Sequence, residues 1–207
     1  MNCDPIARVY RWCEYAAFGR ELERRRTRYL ADVAQAHKAL VLGDGDGRFA
    51  AQLLAAAPKV QVELVDSSQA MLDLASKRAK STRVNYRHSD ARLIFPLSHQ
   101  YDLIATHFFL DCFDSQDLQK LVPQIALAAQ PGAVWLISEF RQPAHGWRAV
   151  WAWLWLRLLY FLFAWTTGLK VRDLTNHRPL LEASGFKLEQ AEEVWFGLLA
   201  SELWRKR

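Results

Sequence analysis

Three glycines at alternate positions, Gly43, Gly45 and Gly47, follow the apolar run Ala39-Leu40-Val41-Leu42, and Asp66 closes the next apolar run. Glycine lets a backbone turn tightly and come close to a ligand, because no Cβ stands in the way. A carboxylate ending the following strand can accept hydrogen bonds from both hydroxyls of a ribose. Together these residues point to a nucleoside-bearing cofactor, although glycine turns also occur without ligands and Asp66 alone could cap a helix. Two further segments, Ser89-Asp90-Ala91 and Thr106-His107-Phe108-Phe109, follow later strand-like runs. His107 is a candidate general base, with Asp111 placed to orient it if the loop turns helically. The competing roles are a bordering contact for His107 and helix caps for Asp111 and Asp114. Glu139 ends another apolar run and is read as a substrate contact, with a salt bridge to Arg141 as its alternative.

Elements that position these residues follow from periodicity. Strands are expected at about 39–43, 60–65, 83–87, 101–106 and 133–140, with helices at 47–57, after Ser67 or Ser68, and at 115–130. A helix ending near Ser184-Gly185 precedes strands at about 186–194 and 198–205, which lack a helix between them and so pair antiparallel. The alternation predicts an α/β fold: a doubly wound, seven-stranded, mostly parallel sheet with an antiparallel last strand. The expected organisation is one domain. A helical N-terminal extension covers 1–36, a cofactor-binding core 37–140, an aromatic-rich cap 141–174, and a terminal helix and hairpin 175–207.

Length and composition narrow the reading. A chain of 207 residues, 51% hydrophobic, suffices for one α/β core and is too short for a dehydrogenase with a separate substrate domain. Arg20, Arg24, Arg25, Arg26 and Arg28 read as a solvated helix face ahead of a nucleic-acid or membrane contact. Three cysteines without a CxxC pair suit free thiols in a reducing cytosol, and residues 1–30 lack the apolar core of a secretory signal. A cytoplasmic location is expected, with peripheral membrane contact left open. The six histidines form no ligand-spaced set, so no metal is expected.

Taken in order, Gly43-x-Gly45-x-Gly47, Asp66-Ser67-Ser68, Asp90-Ala91 and the segment after Thr106 resemble the class I S-adenosylmethionine-dependent methyltransferases, strongly over 37–140 and again over the terminal hairpin. The resemblance implies S-adenosyl-L-methionine as cofactor, with Gly43, Asp44, Gly45 and Gly47 under its methionine part and Asp66 and Ser67 at the ribose. It also implies Met71, Asp90 and Ala91 around the adenine, and His107 bordering the cofactor. One departure stands out: Val41 occupies a position where many members carry an acid that holds the amino end of the cofactor, leaving Asp44 or Asp46 to compensate. Dinucleotide chemistry fits less well, because the turn lacks the Gly-x-Gly-x-x-Gly spacing that brings a helix N-terminus to a pyrophosphate. An aminopropyltransferase or a dehydrogenase of the same fold, and a non-catalytic membrane-surface protein, are the alternatives.

Five of the nine tryptophans (Trp147, Trp151, Trp153, Trp155, Trp165) crowd one segment, in which Arg157 argues against a membrane span. That segment is read as a cap whose Trp147 and Trp151 wall an apolar acceptor pocket; Tyr10 and Tyr15 are read as aromatic lids closing over the cofactor beside it, with ordinary packing of an amphipathic helix as their alternative. The expected acceptor is a lipophilic small molecule such as a quinone precursor, reached by in-line methyl transfer. Nucleic acid is not expected, since no Asn/Asp-Pro-Pro-Tyr-like tetrad follows the fourth strand. A homodimer is an open alternative.

Overall fold

A computed structural model describes residues 10–93, 99–141 and 175–207. The tryptophan-rich cap, including Trp147 and Trp151, lies outside the described residues.

Alternation builds the centre. In β1 (Lys38–Leu42), Ala39 and Val41 face one side of the sheet and Leu40 and Leu42 the other, and all four are buried. A strand buried on both faces is what a parallel sheet covered by helices requires. The first face meets α3 (Arg48–Ala56) and α4 (Gln69–Ala79) through Phe49, Leu53, Leu72 and Ala75. The second meets α5 (Ser115–Ala128) through Leu118, Leu121, Val122 and Ile125. The remaining strands are β2 (Gln61–Asp66), β3 (Val84–His88), β4 (Tyr101–His107), β5 (Ala129–Phe140), β6 (Phe186–Val194) and β7 (Leu199–Lys206). Helix α6 (Arg178–Ala183) precedes β6.

The seven-stranded sheet has the order β3-β2-β1-β4-β5-β7-β6. Strands β1 to β5 pair in parallel, and β7 runs antiparallel between β5 and β6. This is the expected doubly wound sheet with its antiparallel ending. The chain leaves β1 toward β2 on one side and later returns to β4 on the other, so a crevice opens at the C-terminal ends of β1 and β4.

The strand at 133–140 starts earlier than expected, at Ala129. Ala129 already pairs with Tyr101 before a register shift between Tyr101 and Leu103, so Pro131 and Gly132 sit within the strand.

The N-terminal extension forms α1 (Tyr10–Phe18) and α2 (Glu21–Arg26). Two of its arginines depart from the solvated face read above, while Arg20 and Arg28 are exposed as expected. Arg24 is exposed, but Arg25 and Arg26 are buried. Arg25 pairs with Glu21 and with Glu192 of β6, and Arg26 pairs with Glu14 of α1. Glu14 also pairs with Arg48 at the start of α3, Arg48 with Asp46 at 2.8 Å, and Asp46 with Arg78 at 2.8 Å. Acids up to 167 residues away neutralise guanidiniums that would otherwise be too costly to bury. Among the described residues no helix is long and apolar enough to cross a membrane.

Candidate functional site

The crevice at the switch point is a cleft of about 830 Å³, its solvent-open mouth included. It draws on four strand ends: Gly43, Asp44 and Gly45 after β1, Asp66 and Ser67 at β2, Ser89, Asp90 and Ala91 after β3, and His107 to Phe109 at β4. Met71 of α4 and Arg26 of α2 complete the walls, with Arg92, Cys112 and Phe113 at the far side.

The glycine turn divides its labour. Gly43, Gly45 and Gly47 all have positive φ, at 69°, 63° and 77°, where a Cβ is disfavoured. A Cβ on Gly43 would lie 2.4 Å from the Phe109 ring. At Gly45 a Cβ would meet only Met71 Sδ, at 3.8 Å, so the space beside it belongs to the cleft. Gly47, read above as a cofactor contact, is not a cleft residue. It packs on α4, where a Cβ would stand 2.6 Å from that of Ala75.

Asp66 joins two of these parts. Its carboxylate accepts the Gly45 amide at 3.2 Å and the Ser68 amide at 2.9 Å, and it stands half-buried in the cleft wall. Capping of α4 falls instead to Ser68, whose hydroxyl accepts the Met71 amide. Asp90 keeps its place in the cleft, but Arg92 grips both of its oxygens, with the shortest contact at 2.6 Å. That hydrogen-bonded ion pair holds the Asp90 carboxyl below its ordinary value.

Two acids read as compensation for Val41 are committed elsewhere. Asp44 accepts the Phe49 and Ala50 amides at 3.1 and 2.8 Å, capping α3, and burial pushes its pKa up to about 7. Asp46 is held between Arg48 and Arg78.

His107 does not pair with Asp111. Its Nδ1 lies 3.0 Å from Ser138 Oγ of β5, and its Nε2 has no partner among the described residues. The loop does turn helically, over Leu110–Cys112, but only after Phe108 at φ 53°, and Asp111 on that turn makes no hydrogen bond with His107. Burial, helped by Arg26, pulls His107 down to about 3. So weak a base is poorly matched to taking a proton from a phenol at neutral pH. Asp114, in contrast, caps α5 through the Gln116 and Asp117 amides.

Glu139 does not line the cleft, and its Oε2 is buried without a partner among the described residues. The residue is buried and accepts the Phe109 and Leu110 amides at 3.2 and 2.8 Å, which fixes the loop after β4. Burial, with Asp111 adding to it, raises its pKa well above the ordinary carboxylate value. Arg141, its expected alternative partner, pairs with Glu193. The Tyr15 hydroxyl donates to Glu23 at 3.0 Å, so that side chain staples α1 to α2 and is no lid over the cleft. The Tyr10 side chain lies outside the described residues.

Arg26, like Arg92 and Phe113, is a cleft residue that reading the sequence missed. It enters from α2 with its guanidinium 5.1 Å from the centre of the Phe108 ring, a cation–π distance. A lone arginine in a basic run carries no local signal of burial. Its partner Glu14 lies twelve residues back, a spacing outside the helical i,i+4 rule.

The sheet order and the glycine-lined cleft at its switch point define the Rossmann-like fold of class I methyltransferases. Residues 39–132 match the model of the family described as methyltransferase domain. A demethylmenaquinone methyltransferase of Chlamydia pneumoniae is 31% identical over 99 residues, which is 48% of this chain and 42% of that protein. The chain therefore aligns with less than half of that curated relative. Among solved structures, 1,6-didemethyltoxoflavin-N1-methyltransferase of Burkholderia thailandensis, with bound 1,6-didemethyltoxoflavin and S-adenosylhomocysteine, superposes with TM-score 0.68 at 18% identity. That match covers 95% of this chain and 81% of the other. The N-methyltransferase NodS of Bradyrhizobium japonicum, in complex with S-adenosyl-L-homocysteine, gives 0.66 at 13% identity, covering 89% and 87%. At such identities these structures speak to the fold.

Proposed function

We propose that the chain binds S-adenosyl-L-methionine and transfers its methyl group to a small apolar acceptor. The observation that carries this reading is the convergence of Asp66, the bare backbone at Gly45 and the buried Met71 on one cleft at the switch point. The residues fit a nucleoside. Asp66 is placed to accept ribose hydroxyls, Met71 offers an apolar face for a base, and a Cβ at Gly45 would fill the space a ligand needs. When bound, the cofactor supplies a methyl group on a positively charged sulfur. This chain's part is to orient, and to exclude water from the reacting groups. Phe108, Phe109 and Phe113 give the cleft an aromatic lining.

The lipophilic character of the acceptor rests on that lining and on the demethylmenaquinone activity named for the relative. A quinol-type phenol is the proposed class. His107 enters this reading as a wall of the site and not as its base.

Calorimetric titration with S-adenosylmethionine, its decarboxylated form and NADH tests the cofactor, and only the first should bind tightly. Asp66→Ala should weaken that binding by about 1.5–3 kcal/mol, the range for a hydrogen bond to a charged group. Unchanged affinity in a folded variant contradicts the assignment. Incubation with a panel of lipophilic phenols and quinols should then yield S-adenosylhomocysteine; no turnover across the panel would remove the proposed acceptor class.

A further inference from the structure

Arg92 does more than hold Asp90. Its Nη1 donates to Asp117 Oδ2 at 3.2 Å, while its Nη2 and Nε bind the Asp90 oxygens at 2.6 to 3.2 Å. The two acids sit on separate elements. Asp90 follows β3, whereas Asp117 lies in the first turn of α5, beyond the loop after β4. Strands β2 and β1 stand between β3 and β4 in the sheet, so the link joins two strand ends that are not neighbours. Ala91 is buried in the same core cluster as Leu118 and Leu121 of α5, which sets the distance the arginine has to span. The guanidinium carbon stands 6.0 Å from the centre of the Phe113 ring. Asp90, Arg92 and Phe113 all line the cleft, at the end where the cofactor reading places the base.

Its exposure suits a link that opens. The Arg92 side chain is 48% exposed, and those of Asp90 and Asp117 are 31% and 34% exposed. Ion pairs so open to water hold weakly, and salt weakens them further. A long, flexible stem can let go of both acids without disturbing the backbone at either end. On one side the Arg92 amide donates to Asp90, and on the other Asp114 caps α5. Arg26 makes the contrast. Its guanidinium is buried against Glu14, and pulling it away would strand a charge in a poorly hydrated place.

We propose that Arg92 is a strap across the base end of the cleft, tied to Asp90 and Asp117, whose release sets how fast a nucleoside enters and leaves. Entry and exit both need the strap open, so it governs rates and leaves affinity nearly alone. This inference rests on the cofactor reading above and concerns exchange of the nucleoside, not its recognition.

The test is surface plasmon resonance on the immobilised full chain, with S-adenosylhomocysteine and with 5′-methylthioadenosine, which lacks the amino-acid group. Arg92→Met keeps an unbranched stem and removes both tethers. It should raise the association and dissociation rates of both nucleosides together, by about threefold to tenfold, as loss of two exposed ion pairs allows. The dissociation constants should stay within about twofold. Asp117→Asn removes one tether and leaves the Asp90 pair, so it should give a smaller rise of the same kind. It also decides the matter if Arg92→Met fails to fold. Raising salt from about 0.05 to 0.5 M should speed exchange in the parent and leave Arg92→Met unchanged. A faster dissociation alone, with affinity lost in proportion, would make Arg92 an ordinary contact of the base and overturn the strap. Rates that neither substitution nor salt alters would overturn it too, and both results leave the nucleoside site standing. Absence of binding by either nucleoside overturns the cofactor reading as well.

Discussion

Replacing Glu14 with alanine should cost the fold about 3–5 kcal/mol, the range for breaking a buried ion pair from one side. Glu14 is buried between Arg26 and Arg48, and it is the contact that ties α1 to both α2 and the start of α3. Its loss leaves two guanidiniums in a poorly hydrated place. Arg48 keeps Asp46 and Arg26 keeps the Phe108 face, which favours the lower end of the range. Burial works against ionisation of Glu14, yet the charges of Arg26 and then Arg48 outweigh it and hold the carboxyl below its ordinary value. The folded state therefore gives up this proton more readily than the unfolded chain. The stabilisation is full above the unfolded value near 4.5 and is lost as pH falls through the lower folded one. Urea unfolding of Glu14→Ala at pH 7 should show a lower midpoint with unchanged slope. Glu14→Gln should flatten the acid limb of stability against pH. A loss under about 1 kcal/mol in the alanine variant would mean that water already screens the cluster.

That cluster also marks where sequence reading reaches its limit. The sheet was legible because its strands are short apolar runs whose alternate residues face two helical layers, a pattern carried by neighbours along the chain. Gly45, Asp66 and Met71 were legible for a related reason, since a βα turn brings its ligand residues to one strand end at fixed offsets. Arg26, Ser138 and Glu139 were not. Each acquires its role from a residue on a separate element: Arg26 from Glu14, Ser138 from Arg25 and His107, Glu139 from the amides of Phe109 and Leu110. The expected His107–Asp111 pair did not form although the loop turns helically over Leu110–Cys112, and the positive φ of Phe108 before that turn is a feature its residue type rarely announces. Asp44 and Asp46 show the opposite trap. Acids beside a glycine turn look like ligand contacts, but the first turn of α3 and two arginines claimed them.

Gly45→Ala and Gly47→Ala should separate two jobs that adjacent glycines of one turn perform. At Gly47 the added Cβ meets the backbone Cα of Ala75 at 2.7 Å, and backbone cannot step aside as a side chain can. Overpacking costs roughly 1–3 kcal/mol, and a left-handed non-glycine residue about 1–2 more. Gly47→Ala should therefore lose about 2–5 kcal/mol of stability, read from its denaturation midpoint. Its affinity for S-adenosylhomocysteine, measured where the variant is still folded, should change little. Gly45→Ala carries the same penalty for φ, about 1–2 kcal/mol, but no clash, because only Met71 Sδ lies near. There the Cβ enters the cleft, and nucleoside affinity should fall at least about tenfold, or 1.4 kcal/mol. The pair is diagnostic because a general loosening of the turn would lower stability and affinity together in both variants. If Gly45→Ala bound the nucleoside like the parent while Gly47→Ala did not, the cleft would lie on the α4 side of the turn, and the ribose role of Asp66 would fall with it.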